Sequence, residues 1–458
     1  MDCALCDFAC PSWMVRSFRA CGSGRRGLSR RMHLRRFGFI FPVQNVRTGF
    51  EGGFPDSCGA SGMGAWVFER DAMRILYVAD VVEGAAKLHV TETCRHLAML
   101  GESVELIIND DVKISGVAVV RVPDVQIRQE PGYHHGSVFK ILVQDTIMLL
   151  KALFKKCDVI YTRNGFLALQ MKILRPWKKV VWEMNGISRV EFPLMKELRL
   201  KTALAFFMEE RVLPLFVDKV VVITEGMKRF LAADGVPENK MAVVFNGVDC
   251  EKFNPNIDGG AIRQKFGIPE KEKLLIFVGK LAAWHGADHM LAIFELLAQK
   301  MKNVKLMIVG ISDADLDRFA PSLSKEAREQ IMCAGWVENE KIPEYMAAAD
   351  AGVHLGTHDY DLNPFKVLEY MACGKPVIGT TRGLSEIISA SKGGIVVDPL
   401  EREKSAEAIC SFLADEAKLT EAGCNAREYV AENHRWEKVT EKLVKTLKAT
   451  FKDKRMAQ

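Results

Sequence analysis

No run of about 18 apolar residues occurs in the 458-residue chain, which excludes a helix crossing a bilayer. A secretory signal is missing too, because Arg16 and Arg19 interrupt the apolar stretch near the first residue. Strong charge of either sign is absent. Against 58 acidic side chains stand 63 basic ones, a net of +5, and nothing electrostatic argues for nucleic acid. The 12 cysteines form no disulfide framework. Those beyond residue 72 are scattered among apolar runs, as buried free thiols are, which indicates a reducing, cytoplasmic compartment. The opening C-x2-C-x3-C (Cys3, Cys6, Cys10) lacks a second ligand pair at zinc spacing, so no metal site is expected there. What is present is apolar material: 48% hydrophobic residues, with 9% aromatic, suffice for substantial cores and rule out wholesale disorder.

Lysine is missing from residues 1–72, although arginine is frequent there, so this leader carries most of the net charge of +5. Its Arg-rich, Gly/Ser-containing character suits an organelle transit peptide. Its acids and cysteines favour upstream sequence translated in error, with the working protein starting at Met73. From there the pattern becomes regular. "MRILYVAD", "SVELIIND", "VAVVRVP", "DVIYTR", "KKVVWEM", "DKVVVIT" and "KMAVVFN" are short apolar runs, most of them separated by helical patterns such as 87–100, 137–156, 189–213 and 226–233. The theme restarts with "KLLIFVGKL", "VKLMIVG", "IMCAGWV", "AGVHLGT", "KPVIGT" and "GGIVVDP". Continuously apolar strands alternating with helices imply parallel sheets covered on both faces. The expected architecture is α/β: a domain over 73–248, a second over 249–435, and an amphipathic helix with tail over 436–458.

Ligands of such sheets sit beyond the carboxyl ends of the strands. After "ILYVAD" a dinucleotide fold would show G-x-G-x-x-G; here Gly84 stands alone, which argues against a nicotinamide dehydrogenase. The densest signal is "DYDLNPFKVLEYMACGKPVIGT". Asn363 reads as an N-cap, Pro364 as the first helical residue and Gly374 as an αL stop. The helix 365–373 then offers free N–H groups and a positive dipole end to a phosphate, with Lys366 adding charge. Glu369, farther along, suits two vicinal ribose hydroxyls, and Asp361 in the loop suits a sugar. A surface Glu and an idle loop Asp are the plainer alternative.

These residues resemble the retaining glycosyltransferases of family 4, which have the GT-B fold of two Rossmann-like domains facing across a crevice. The family's E-x7-E pattern matches Asp361-x7-Glu369 within "PFKVLEYMACGKPVI". "NGVDCEKFNP" matches its interdomain segment, and "FVGKLAAWHGADHML" stands where "GRL…KG" is typical. The resemblance implies a metal- and cofactor-independent transfer of a sugar from a UDP- or GDP-sugar to a hydroxyl of a glycan or lipid-linked glycan. It assigns Lys280 and His285 to the diphosphate, Glu369 to the ribose and Asp361 to the transferred sugar, with Lys280, Asp361 and Glu369 as the catalytic group. Gly310, Val337 and residues 356–364, including Asn363, would wall the base and sugar pocket, with Phe365 and Lys366 opening the helix.

Three departures from the family pattern stand out. Asp361 is one methylene shorter than Glu. Lys280 in place of Arg loses the bidentate fork. His285 in place of Lys is expected to be mostly neutral near pH 7 unless phosphate raises it, so a pH limb near neutrality is expected. In the first domain Gly84 lets a loop approach the donor, while Arg163, Glu183 and Asn185 end consecutive strands on the acceptor side. Glu183 either orients an acceptor hydroxyl or pairs with a buried Arg163. His89 and His96 read as packing or surface residues. The lysine-bearing helix 139–156, with "LKTALAFF", either rests on an anionic membrane at the cytosolic face or covers the sheet, and the second is the plainer reading. Two rival functions remain at this level: an inactive nucleotide-sugar-binding subunit, and a GT-B sugar-nucleotide epimerase.

Overall fold

Alternate residues of β1 (Arg74–Ala79) enter different cores. Leu76 and Val78 join one apolar cluster, and Ile75, Tyr77 and Ala79 join another. A strand behaves this way only when both faces of its sheet are covered, as its unbroken apolar sequence requires. In the second domain β8 (Lys273–Val278) divides likewise, Leu274 and Ile276 to one side and Leu275 and Phe277 to the other.

The computed structural model describes residues 72–80, 84–124, 138–187, 190, 207–282 and 285–451. The arginine-rich leader up to residue 71, most of the helix expected over 189–213, the "LKTALAFF" stretch before Phe207, and Trp284 lie outside the described residues.

Each apolar run read from the sequence is a strand. The first sheet contains β1, β2 (Ser103–Ile108), β3 (Val117–Arg121), β4 (Val159–Thr162), β5 (Lys179–Met184), β6 (Lys219–Val222) and β7 (Met241–Val243). The second contains β8, β9 (Val304–Val309), β10 (Ile331–Gly335), β11 (Ala351–Val353), β12 (Val377–Thr380) and β13 (Gly394–Val397). Both are wholly parallel, with orders β3-β2-β1-β4-β5-β6-β7 and β10-β9-β8-β11-β12-β13. This is the doubly wound α/β architecture of the GT-B fold, twice over.

Local sequence fixes several helix starts. Asn164 caps the helix Gly165–Leu174, its side chain accepting from Leu167 N at 3.0 Å. Thr224 caps Glu225–Ala233, accepting from Met227 N at 3.0 Å, and its hydroxyl donates across the domain boundary to the Asp361 carbonyl at 2.7 Å. Tyr360 and Glu386 add further cross-links, to Ile187 N at 3.0 Å and to Arg229.

The final helix, Trp436–Ala449, returns to the first domain. Its Val439, Leu443 and Leu447 pack with Ile75, Leu106 and Ile108, so the apolar face expected of an amphipathic tail closes a core. The helix Val138–Leu153 covers the sheet through Met148 and Ala152 and leaves Leu150 exposed, with Phe154 exposed just beyond it. Among the described residues no helix is long and apolar enough to cross a membrane.

Candidate active site

Strand order decides where a ligand can sit. The order reverses between β1 and β4 and again between β8 and β11, and crevices open at such points. Residues leaving these strands meet. Ala85, Ala86 and Arg163 from the first domain, and His285 and His354 from the second, line one cavity of about 350 Å³ between the domains. Asn185, Asn246, Asn363 and Phe365 also line it.

The helix Phe365–Ala372 aims its amino end at this region. Its N-cap is Pro364, not Asn363 as expected, and no side chain caps it. Pro364 holds an extended conformation (φ −71°, ψ 138°), which moves the first helical residue on by one and leaves the N–H groups of the first turn without a side-chain acceptor. Gly374 ends the segment at φ +70°, as expected. Lys366 Nζ has no hydrogen-bond partner among the described residues and lies 4.3 Å from the Phe277 ring centroid. A Cβ built on Gly279 would come within 2.8 Å of that nitrogen, and Gly279 itself has φ +133°. Only glycine serves both needs at this position. Gly310 (φ +113°) abuts the Gly279 carbonyl, so the loops after β8 and β9 stack above Lys366.

Burial pulls the Lys366 ammonium down to about 7, against the neighbouring Glu369. Burial likewise lifts Glu369 to about 7, against Lys252 and Lys366. Each group has lost hydration and regained only part of it from charge, so an arriving anion or hydroxyl pair would re-ionise them. Glu369 faces a smaller recess of about 80 Å³ bounded by Gly247, Lys252, Phe365 and Trp436, and Phe365 separates it from the interdomain cavity by lining both.

His285 is held in its neutral form. Its ring Nδ1 lies 3.1 Å from the Lys280 carbonyl, which only accepts, so Nδ1 carries the proton. Burial first, then Lys366 and His358, lower its pKa to about 4. The surroundings therefore favour the neutral imidazole, and a pH limb near neutrality requires a bound phosphate to raise it. Asp361 departs from its expected place. It does not line the interdomain cavity: its carboxylate accepts from Ser385 Oγ and Glu386 N at 3.1 Å each, in the first turn of the helix Ser385–Ser391. A shorter side chain on a loop pinned by Thr224 finds this nearer partner. Lys280 is exposed and does not line the cavity, while Val337 packs on the core beneath β10. Gly84 opens the first helix, Gly84–Met99, at φ +63°.

Two family models match consecutive parts of the chain: Glycosyltransferase Family 4 over residues 86–252 and Glycosyl transferases group 1 over residues 259–429. The chain belongs to the family 4 glycosyltransferases. An uncharacterized glycosyltransferase of Methanocaldococcus jannaschii is 23% identical over 376 residues, 78% of this chain and 92% of the relative. A GDP-mannose-dependent monoacylated alpha-(1-6)-phosphatidylinositol monomannoside mannosyltransferase of Corynebacterium glutamicum is 27% identical over 244 residues, 51% of this chain and 62% of the relative. Anabaena HepE, solved in complex with UDP-glucose, superposes with a TM-score of 0.63 at 18% identity, covering 82% of this chain and 100% of HepE. At that identity the likeness is one of fold.

In this family 4 glycosyltransferase Glu183 is a buried network centre, 1% exposed. His89 Nε2 lies 2.7 Å from it, Tyr77 OH donates to it at 2.9 Å, and Arg163 Nε is 3.8 Å away. Burial opposes ionisation, yet His89 and Arg163 hold the carboxyl far below the ordinary range. Of the two readings of Glu183, pairing with Arg163 is the one the geometry fits, and His89 is its closer partner. Arg163 also donates to the Ala86 carbonyl at 3.1 Å, tying β4 to the first helix. His96 bonds the Glu92 carbonyl at 2.9 Å and stacks on Trp436, the packing role expected of it. His354 and Asn246 line the cavity and were missed from sequence. His354 follows β11 directly, in "VHLGT", and Asn246 comes three residues after β7, in "VVFNG", so the strand-end rule applied evenly would have found them.

Proposed function

We propose that this chain is a retaining glycosyltransferase that moves a sugar from a nucleoside-diphosphate sugar, UDP- or GDP-linked, to a hydroxyl of a glycan or lipid-linked glycan, without a metal. The observation that carries the reading is the uncapped helix terminus with the unpartnered Lys366 Nζ beside Gly279, at a strand-order switch point. Fixed N–H dipoles and an ammonium stabilise the departing diphosphate in place of a cation. The diphosphate restores Lys366 to its charged form, and two ribose hydroxyls do the same for Glu369. Departure leaves an oxocarbenium-like sugar, which the acceptor hydroxyl attacks on the face the diphosphate left, its proton passing to an oxygen of the departing diphosphate. The UDP-glucose bound to HepE and the GDP-mannose named for the Corynebacterium relative support a nucleotide-sugar donor. Its workplace is proposed as the cytoplasm, with peripheral contact to the cytosolic membrane face. The exposure of Phe154, Ile173 and Trp177, and of Lys151 and Lys156, supports that contact.

A donor panel tests the reading. Transfer or slow donor hydrolysis supports a transferase, and formation of a 2-epimer points to an epimerase. The rival of a binding subunit draws on Asp361, which is engaged away from the cavity. Tight donor binding with no turnover would select it. Glu369→Ala is expected to abolish donor binding along with turnover, and retention of most activity would remove the site assignment.

A further inference from the structure

The final helix begins at a residue that touches both domains. Trp436 is 3% exposed and lies outside the family-matched residues. Its indole meets the first helix, Gly84–Met99, with ring centroids 5.6 Å from His89 and 6.1 Å from His96. Those histidines lie about two helical turns apart and so share one helix face. The same indole lies 6.2 Å from the Phe365 ring of the second domain, at an interplanar angle of 31°. All three distances fall within the ~4.5–7 Å at which aromatic rings attract. The two connections between the domains run side by side here. Val248 N donates to the His434 carbonyl at 2.8 Å, and His434 Nδ1 lies 3.2 Å from the Asn246 carbonyl. Gly247, between Asn246 and Val248, leaves room for the ring, because a Cβ there would come within 2.4 Å of it.

We propose that Trp436 is a positioning residue of the transfer reaction: through Phe365 it sets the amino end of the 365–372 helix against the first domain. The inference rests on the nucleotide-sugar reading above and deepens it. Phe365 is the first residue of that helix, and it lines both the interdomain cavity and the recess that Glu369 faces. Its ring is therefore where the helix end meets a neighbour, and the indole is that neighbour. His89, the closest ring to the indole, lies 2.7 Å from the Glu183 carboxylate. The contact thus runs from a buried ion pair in β5 to the helix terminus that meets the diphosphate. A flat, rigid ring clamped between two helices and a connecting segment holds that terminus in register. Small misplacements of groups that act on the reacting atoms cost rate, even where the change lies away from the chemistry.

The test uses the full chain with whichever UDP- or GDP-sugar it turns over, and calorimetry with free UDP or GDP. Trp436→Leu is expected to lower kcat at least tenfold. KM for the donor and Kd for the free nucleoside diphosphate are expected to change less than threefold, because a fixed helix terminus acts most on the charge of the departing group. Trp436→Phe keeps an aromatic ring and is expected to recover part of the loss. Gly247→Ala pushes on the indole from the connecting segment and is expected to lower kcat as well. In the Trp436→Phe background the smaller ring leaves room, so the alanine is expected to cost less there. Retained binding of the free diphosphate serves as the folding control. Unchanged kcat in Trp436→Leu overturns the proposal. Equal losses of turnover and diphosphate binding overturn it too, since Trp436 would then be a wall of the nucleotide recess or a support for the fold alone. A wild type that turns over no donor overturns the nucleotide-sugar reading itself, and the positioning role falls with it.

Discussion

Replacing Glu183 by glutamine separates two roles for a strand-end carboxylate. In the structure this side chain is 1% exposed and is surrounded by His89, Tyr77 and Arg163 at 2.7, 2.9 and 3.8 Å. Glutamine keeps the shape and removes the charge, leaving the Arg163 guanidinium, 16% exposed, without its counter-charge. Breaking a buried pair from one side costs roughly 3–5 kcal/mol, so the urea midpoint at pH 7 should fall by a corresponding amount. The pH dependence adds a second signature. The folded-state carboxyl lies below its unfolded value, about 4.3, so its stabilisation is complete above that value and is lost as pH falls through the folded pKa. The gap between wild type and Glu183→Gln should therefore be widest near neutrality and narrow below about pH 4. Parallel unfolding curves from pH 7 to pH 3 measure it. If Glu183→Gln keeps full stability but loses sugar transfer, the network reading is wrong and the carboxylate serves the acceptor.

His285→Lys places a permanent cation where a neutral imidazole stands, and UDP or GDP binding at pH 8 should tighten several-fold by calorimetry; an unchanged affinity would show that position 285 does not face the diphosphate. A side chain at Gly352 would come within 2.2 Å of the Tyr370 ring, on the helix that presents Lys366 and Glu369. Gly352→Ala is therefore expected to cost about 1–3 kcal/mol in urea unfolding and to weaken diphosphate binding, and a neutral outcome would mean Tyr370 yields freely. Co-sedimentation with vesicles containing anionic lipid should exceed that with zwitterionic vesicles, and Trp177→Ser with Phe154→Ser should abolish the excess. Equal sedimentation on both surfaces counts against the membrane contact.

The motif around the 365–372 helix was legible because it is local. Cap chemistry, a glycine stop and a short apolar stripe occur within a dozen neighbouring residues, and only the cap position moved, from Asn363 to Pro364. The two carboxylates of Asp361-x7-Glu369 share a motif but not a cavity. Spacing puts them a fixed number of residues apart, whereas Ser385, a strand and a loop farther on, decides where the first one points.

Sequence alone determined the thirteen strands among the described residues and the alternation of strand and helix, because apolar runs covered on both faces admit few other structures. It also located the helix end that a phosphate would meet. Tertiary structure alone decided which side chains are left without partners there. His354, Asn246 and Asn363 are separated by up to 117 residues yet line one cavity, while Lys366 Nζ is buried against Phe277 and Gly279, and chain order shows neither. Burial within each domain likewise made His285 neutral and hid Glu183, since ionisation depends on solvent and neighbouring charge, which chain order does not specify.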